Sequence, residues 1–186
     1  NFEIYSDQFP SPLQNRTLRV SPGGAIEGIY DEGQAPPAED SDEIIDGKGR
    51  LLIPGFVNTH SHLGMEIFRG FADDIPLKEW LEEWIWPAEQ RLTAEEVYWG
   101  SLLGAIELLH SGVTSVGDMY FYMDETAKAI GEAGLRGLIS HGIVADDLDE
   151  KGRNEIDRAV KLANRWHDKD GSRIRVALSP HAPYTC

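Results

Sequence analysis

His60 and His62 flank Ser61 directly after the apolar run Phe56-Val57-Asn58-Thr59. In an extended segment residues i and i+2 project from the same face, so both imidazoles can reach one metal ion about 2.0–2.1 Å from each nitrogen. The spacing alone is a weak signal. Six histidines are scattered over 186 positions, so roughly 0.16 such pairs arise by chance, and a polar turn is the competing reading. Position adds weight, because the C-terminal ends of strands are where parallel α/β folds hold their ligands. Cys186 is the only cysteine, which excludes an intramolecular disulfide and a multi-cysteine zinc cluster. A metal would therefore be held by histidines and carboxylates. Pairing Cys186 with His181 as a nucleophile lacks the orienting third group that such chemistry needs. Asp118 ends an apolar run, where it can support a neighbouring ligand or simply accept a backbone amide.

The elements that must position these residues fall into two regimes. From Asn1 to about residue 53 the chain carries short β-type runs (17–21, 25–30, 43–46 and 50–53) separated by turn-rich pieces such as Pro22-Gly23-Gly24. This region reads as part of a small all-β domain. The acidic stretch 31–42 between its runs reads as a solvated loop. After Pro54-Gly55 apolar strands alternate with helical patterns. Residues 77–91 show helical apolar spacing at Leu77, Trp80, Leu81, Trp84 and Ile85. Thr93 with Glu96 forms a capping box, starting a helix to about His110 that Ser111-Gly112 stops. Residues 113–118 read as a buried strand, Asp124 as the cap of a helix ending at Gly134, and 135–144 as a strand. Residues 154–167 form a helix with Ile156, Val160 and Ala163 on one stripe, followed by a strand at 174–179. The four tryptophans between Trp80 and Trp99 read as helix packing, with Trp80 and Trp86 able to border a flat ring. Repeated βα units imply a parallel sheet. Two architectures remain open, a doubly wound sheet and about half of an eight-stranded barrel, since 132 residues after Pro54 are too few for the roughly 250 of a closed barrel.

Composition narrows the partners. Lys and Arg number 17 against 32 Asp and Glu, a formal charge of −15, which opposes a nucleic-acid backbone or an anionic membrane surface. No run approaches 18 apolar residues and the first residues lack a signal-peptide pattern, so a cytoplasmic location with no membrane partner is expected.

The segment from Leu52 to His62, Leu-Ile-Pro-Gly-Phe-Val-Asn-Thr-His-Ser-His, resembles the opening signature of the metal-dependent amidohydrolase superfamily. Trp86-Pro87-Ala88-Glu89, the segment Gly112 to Met119, and Ser179-Pro180-His181-Ala182-Pro183-Tyr184-Thr185-Cys186 together resemble the branch of deaminases acting on S-adenosylhomocysteine and methylthioadenosine, with chlorohydrolases close by. The resemblance runs from about Glu43 to the end of the chain. It implies a (β/α)8 TIM-type barrel, of which residues 54–186 would be the N-terminal half, joined to a small β-sandwich to which residues 1–53 contribute. It also implies one divalent ion, usually zinc with Fe2+ as the alternative, holding a hydroxide that attacks an amino-bearing aromatic carbon. His60 and His62 would be two metal ligands, with the remaining ligands and the general acid/base carried beyond Cys186.

Three further residues carry over from the resemblance. Glu89 matches a carboxylate that grips ribose hydroxyls, where its residue-level reading is a solvated helix carboxylate. His181 matches a substrate-contacting histidine, against the reading of a structural one. Arg153 aligns with an arginine that pairs a substrate carboxylate through its planar fork, against that of a surface arginine. His141 stands where relatives can place a second arginine, which weakens any preference for homocysteine-bearing substrates. The expected activity is hydrolytic deamination of an adenine nucleoside, with a possible homo-oligomer. The alternatives are a chlorohydrolase or another heteroaromatic-ring aminohydrolase, and a non-catalytic fragment or interaction module.

Overall fold

A computed structural model describes residues 1–145, 147–169, 173–183 and 185–186, and in it the chain divides into two units, Asn1–Pro54 and Gly55–Cys186. In the first unit β1 (Phe2–Ile4), β2 (Leu13–Val20), β3 (Ile26–Tyr30) and β4 (Leu51–Leu52) form one sheet in the order β3-β2-β1-β4. β1 pairs antiparallel with β2 and parallel with β4. The β2–β3 turn is closed by Ser21, whose hydroxyl accepts from the Ala25 amide at 3.1 Å, and by Gly24 at φ +81°. The strand expected at 43–46 does not form. Ile44 and Ile45 stand in solvent there, and β-branched residues make no strand without a ladder partner. β1 has only three residues, too few to show alternation in the sequence.

The second unit begins with β5 (Phe56–Ser61), followed by a 3-10 helix over Leu63–Phe68. The helical pattern of 77–91 becomes three joined pieces: α1 (Leu77–Glu79), a π-helical turn over Trp80–Ile85, and α2 (Trp86–Glu89). Pro87 lacks the N–H that a regular helix would donate back to the preceding turn, which accounts for the widened ladder just ahead of it. Only Ile85 of the expected apolar face is fully buried, and Leu77 and Trp84 are exposed.

The remaining elements are α3 (Ala94–His110), β6 (Val113–Tyr120), α4 (Met123–Ala133), β7 (Arg136–Ile143), α5 (Glu150–Trp166), β8 (Ile174–Val176) and β9 (Ser179–Pro180). Thr93 and Glu96 form the full capping box of α3. Asp124 does not cap α4. Tyr122 holds that position in a left-handed conformation, and the Asp124 carboxylate instead binds Arg165 and the Trp166 indole N–H. Asp149 caps α5, starting it earlier than the apolar stripe suggests. The face α5 buries runs through Gly152, Ala159 and Leu162, leaving Val160 exposed.

The sheet is parallel in every pairing and runs β5-β6-β7-β8, with β9 added beside β7. The fold is thus α/β with a parallel sheet. Its strand order follows the chain, without the reversal that marks a doubly wound sheet. The core lies between sheet and helices, where Val116, Ile139 and Ile174 from strands meet Val97, Ala127 and Ile130 from helices. Alternation decides what each strand offers: Val116, Asp118 and Tyr120 of β6 share the buried face.

Candidate metal and substrate site

All strands of the second sheet are parallel, so their C-terminal ends share one edge, and the residues singled out above can be placed against it. His60 is the penultimate residue of β5, and His62 follows its end. The two imidazole centroids lie 5.0 Å apart with planes at 79°. Two imidazoles ligating one tetrahedral ion at about 2.0–2.1 Å per nitrogen place their centroids about 5 Å apart, so the pair has the separation that shared ligation needs. His62 Nδ1 lies 2.6 Å from the Met119 carbonyl oxygen. A carbonyl only accepts, so Nδ1 is the donor, which leaves Nε2 as the ring nitrogen for any metal ligation. His60 is exposed, and its backbone N–H donates to Asn58 Oδ1 at 3.1 Å.

β6 grips the segment after the pair a second time. Both carboxylate oxygens of Asp118 accept from the Leu63 amide, at 3.0 and 3.2 Å. The backbone-amide reading of Asp118 is therefore the one the structure displays. Burial pushes its carboxyl up to about 7 despite the hydrogen bonds from the Leu63 and Met119 amides. From one strand end, Asp118 thus holds the Leu63 amide and Met119 the His62 ring.

Glu89, the last residue of α2, is half-buried and accepts from the Tyr120 hydroxyl at 2.7 Å. Burial raises its carboxyl pKa and the Tyr120 bond partly offsets that. The Tyr120 ring centroid lies 6.4 Å from that of His62, so Glu89 is tied to the histidine pair through one side chain. Sequence reading passed over Tyr120 and the Met119 carbonyl. Tyr120 was legible, two positions beyond Asp118 on the same face of an alternating strand, whereas a main-chain carbonyl leaves no signal in residue types.

His181 follows β9, its N–H donating to the Ile143 carbonyl at 3.0 Å and its Nδ1 lying 2.8 Å from Thr185 Oγ1. It thus stands at the same edge as the pair. Arg153 lies in the first turn of α5, the helix that follows β7, with its side chain exposed. His141, near the end of β7, is committed to α5, its Nε2 2.6 Å from Glu155 Oε2. Cys186 Sγ is directed at the Ile143 carbonyl, 3.2 Å away. Tyr184 lies outside the described residues. Two shallow cavities, of about 290 and 430 Å3, lie against α5 and include none of His60, His62, Glu89 or His181. Among the described residues no group of three or more His, Cys, Asp and Glu converges as a metal site. The donor set fits two ligands of a metal and stops there. Among the described residues no helix is long and apolar enough to cross a membrane.

A model of the amidohydrolase family matches residues 51–186. A 5-methylthioadenosine/S-adenosylhomocysteine deaminase of Dictyoglomus thermophilum is 54% identical over 145 residues, covering 78% of this chain and 34% of that protein. A 5'-deoxyadenosine deaminase of Methanothermobacter thermautotrophicus is 54% identical over 147 residues, 79% of this chain and 34% of its own length. Among solved structures, an adenosine deaminase from Xanthomonas campestris with bound zinc superposes with a TM-score of 0.78 at 29% identity, covering 98% of this chain and 42% of the other. The chain thus spans about a third of the length of these curated relatives.

Proposed function

The chain belongs to the amidohydrolase family, and from that premise we propose that it is the metal-binding N-terminal portion of a hydrolytic deaminase of adenine nucleosides, with 5-methylthioadenosine and S-adenosylhomocysteine as the substrate class. The observation that carries the reading is the histidine pair, 5.0 Å between centroids, with the His62 tautomer fixed by the Met119 carbonyl. His60 and His62 would hold a divalent ion, zinc or Fe2+. When bound, that ion supplies the electrostatic pull that makes a water nucleophilic near neutral pH. The chain's own residues orient and bind. His62 presents Nε2, and β6 prevents its rotation. Glu89, an acceptor-only group, takes ribose hydroxyls as donors. His181, at the same sheet edge, contacts the substrate, and Arg153 lies exposed on the helix that follows β7, where it would meet a substrate carboxylate.

The second unit is proposed as about the first half of a (β/α)8 barrel and the first as part of a small β-sandwich. The consecutive parallel order supports the former, as does the exposure of more than half of Val57 and Leu138, whose register partners Ser115 and Gly117 alternate onto one face of β6, since an arc of a barrel leaves one strand face uncovered. The remaining ligands and the proton-transfer group would come from later strands. The decisive experiment measures zinc content and ammonia release from 5′-methylthioadenosine by a polypeptide of the relatives' length carrying this segment. One tightly held ion and turnover are expected. Turnover that survives replacement of both His60 and His62 would overturn the assignment.

A further inference from the structure

Tyr120 is 5% exposed, sits at the C-terminal end of β6, and stands between Glu89 and His62. Its hydroxyl donates to Glu89 Oε1 at 2.7 Å, while among the described residues Glu89 Oε2 has no hydrogen bond. Its ring is fixed by packing. A Cβ added at Gly64, two residues after His62, would come within 2.7 Å of Tyr120 Cδ1, so the backbone following the histidine pair lies close against the ring. The ring in turn stands 6.4 Å from the His62 imidazole, centroid to centroid. A donor on one oxygen of a carboxylate stops its rotation and leaves the other oxygen as acceptor for an incoming hydroxyl.

We propose that Tyr120 is a positioning residue for sugar recognition: it holds Glu89 by Oε1, leaves Oε2 to the cis-diol of a ribose, and keeps that carboxylate in register with the histidine-bearing strand. The inference rests on the reading of Glu89 as the sugar-binding carboxylate. A tyrosine that merely fills space would serve any substrate equally. One that aims a carboxylate at a diol serves only substrates that carry the diol.

The test uses the zinc-loaded protein at the length of its relatives, with 5′-methylthioadenosine and its 2′,3′-dideoxy analogue as substrates. Tyr120→Phe keeps the ring and removes the donor. It is expected to raise KM for the diol substrate about tenfold with kcat within about twofold, as loss of a hydrogen bond to a charged group predicts. KM for the dideoxy analogue and the zinc content should stay unchanged, and the variant should add nothing in a Glu89→Gln background. A KM rise shared by both substrates, or full additivity in the double variant, overturns the inference while leaving a selective Glu89→Gln effect intact. A Glu89→Gln effect that does not distinguish the two substrates overturns the Glu89 reading and this inference with it. Should Tyr120→Phe fold poorly, the double variant, which removes the carboxylate charge together with its donor, is compared with Glu89→Gln alone. Identical constants support the inference, and a further rise in KM refutes it.

Discussion

His62 is held twice, by the Met119 carbonyl on Nδ1 and by the Asp118 carboxylate on the following amide. Both holds depend on the strand end of β6. Replacing His60 or His62 by alanine should each lower zinc affinity by at least about 10- to 100-fold, read by competition with a chromogenic chelator, because each removes a ligand from a set already short. Equal affinity in wild type and variants would remove the pair from the site. Asp118 supplies a pH test. An unfolded aspartate titrates near 3.9, whereas burial pushes this one up to about 7 in the folded chain. The folded state therefore binds the proton more tightly. Stability contributed by the protonated form is present below about pH 4 and lost as pH rises towards 7. The difference in unfolding free energy between metal-free wild type and Asp118→Asn, read from urea titrations, should shift in favour of the variant across that window, by at most a few kcal/mol. A flat difference would show that the carboxyl titrates normally.

Among elements, α3 combines a legible start signal with close backbone packing. Its capping box satisfies the Glu96 and Thr93 amides reciprocally, so Thr93→Ala should cost about 1 kcal/mol in denaturant unfolding without altering zinc binding. Gly100 is a different case. A Cβ there would meet the Gly64 carbonyl oxygen at 2.7 Å, and that oxygen belongs to rigid backbone just after the histidine pair. Gly100→Ala should therefore destabilise by about 1–3 kcal/mol and also weaken zinc binding, because relief requires moving the 3-10 segment that follows His62. Destabilisation with unchanged zinc affinity would show that the strain is absorbed elsewhere. The capping box was readable because it depends on residues three apart. The packing of Gly100 on Gly64 was not, since 36 residues separate the partners and neither has a side chain to advertise it.

At the scale of the molecule, two histidines fall short of the three protein ligands usual for a catalytic zinc site. A protein of these 186 residues alone is expected to bind zinc weakly and release no ammonia, whereas one of the relatives' length should do both. Zinc-dependent turnover by the shorter species, its mass confirmed, would mean a self-contained site. Local patterns determined a good deal of this protein. The i, i+2 histidines after an apolar run, the capping box of α3, Gly134 ending α4 and the βα alternation all depend on neighbours in sequence, where residue type and backbone geometry act directly. Tertiary structure decided the rest. It withheld a strand from Ile44 and Ile45 for want of a ladder partner, and it drew Asp124 from a cap to Arg165 and Trp166. It also turned Asp118 onto an amide 55 residues earlier and joined Glu89 to His62 through Tyr120. Each of these outcomes depends on a partner that only the folded sheet brings within hydrogen-bonding or packing distance, and no local periodicity encodes which partner that will be.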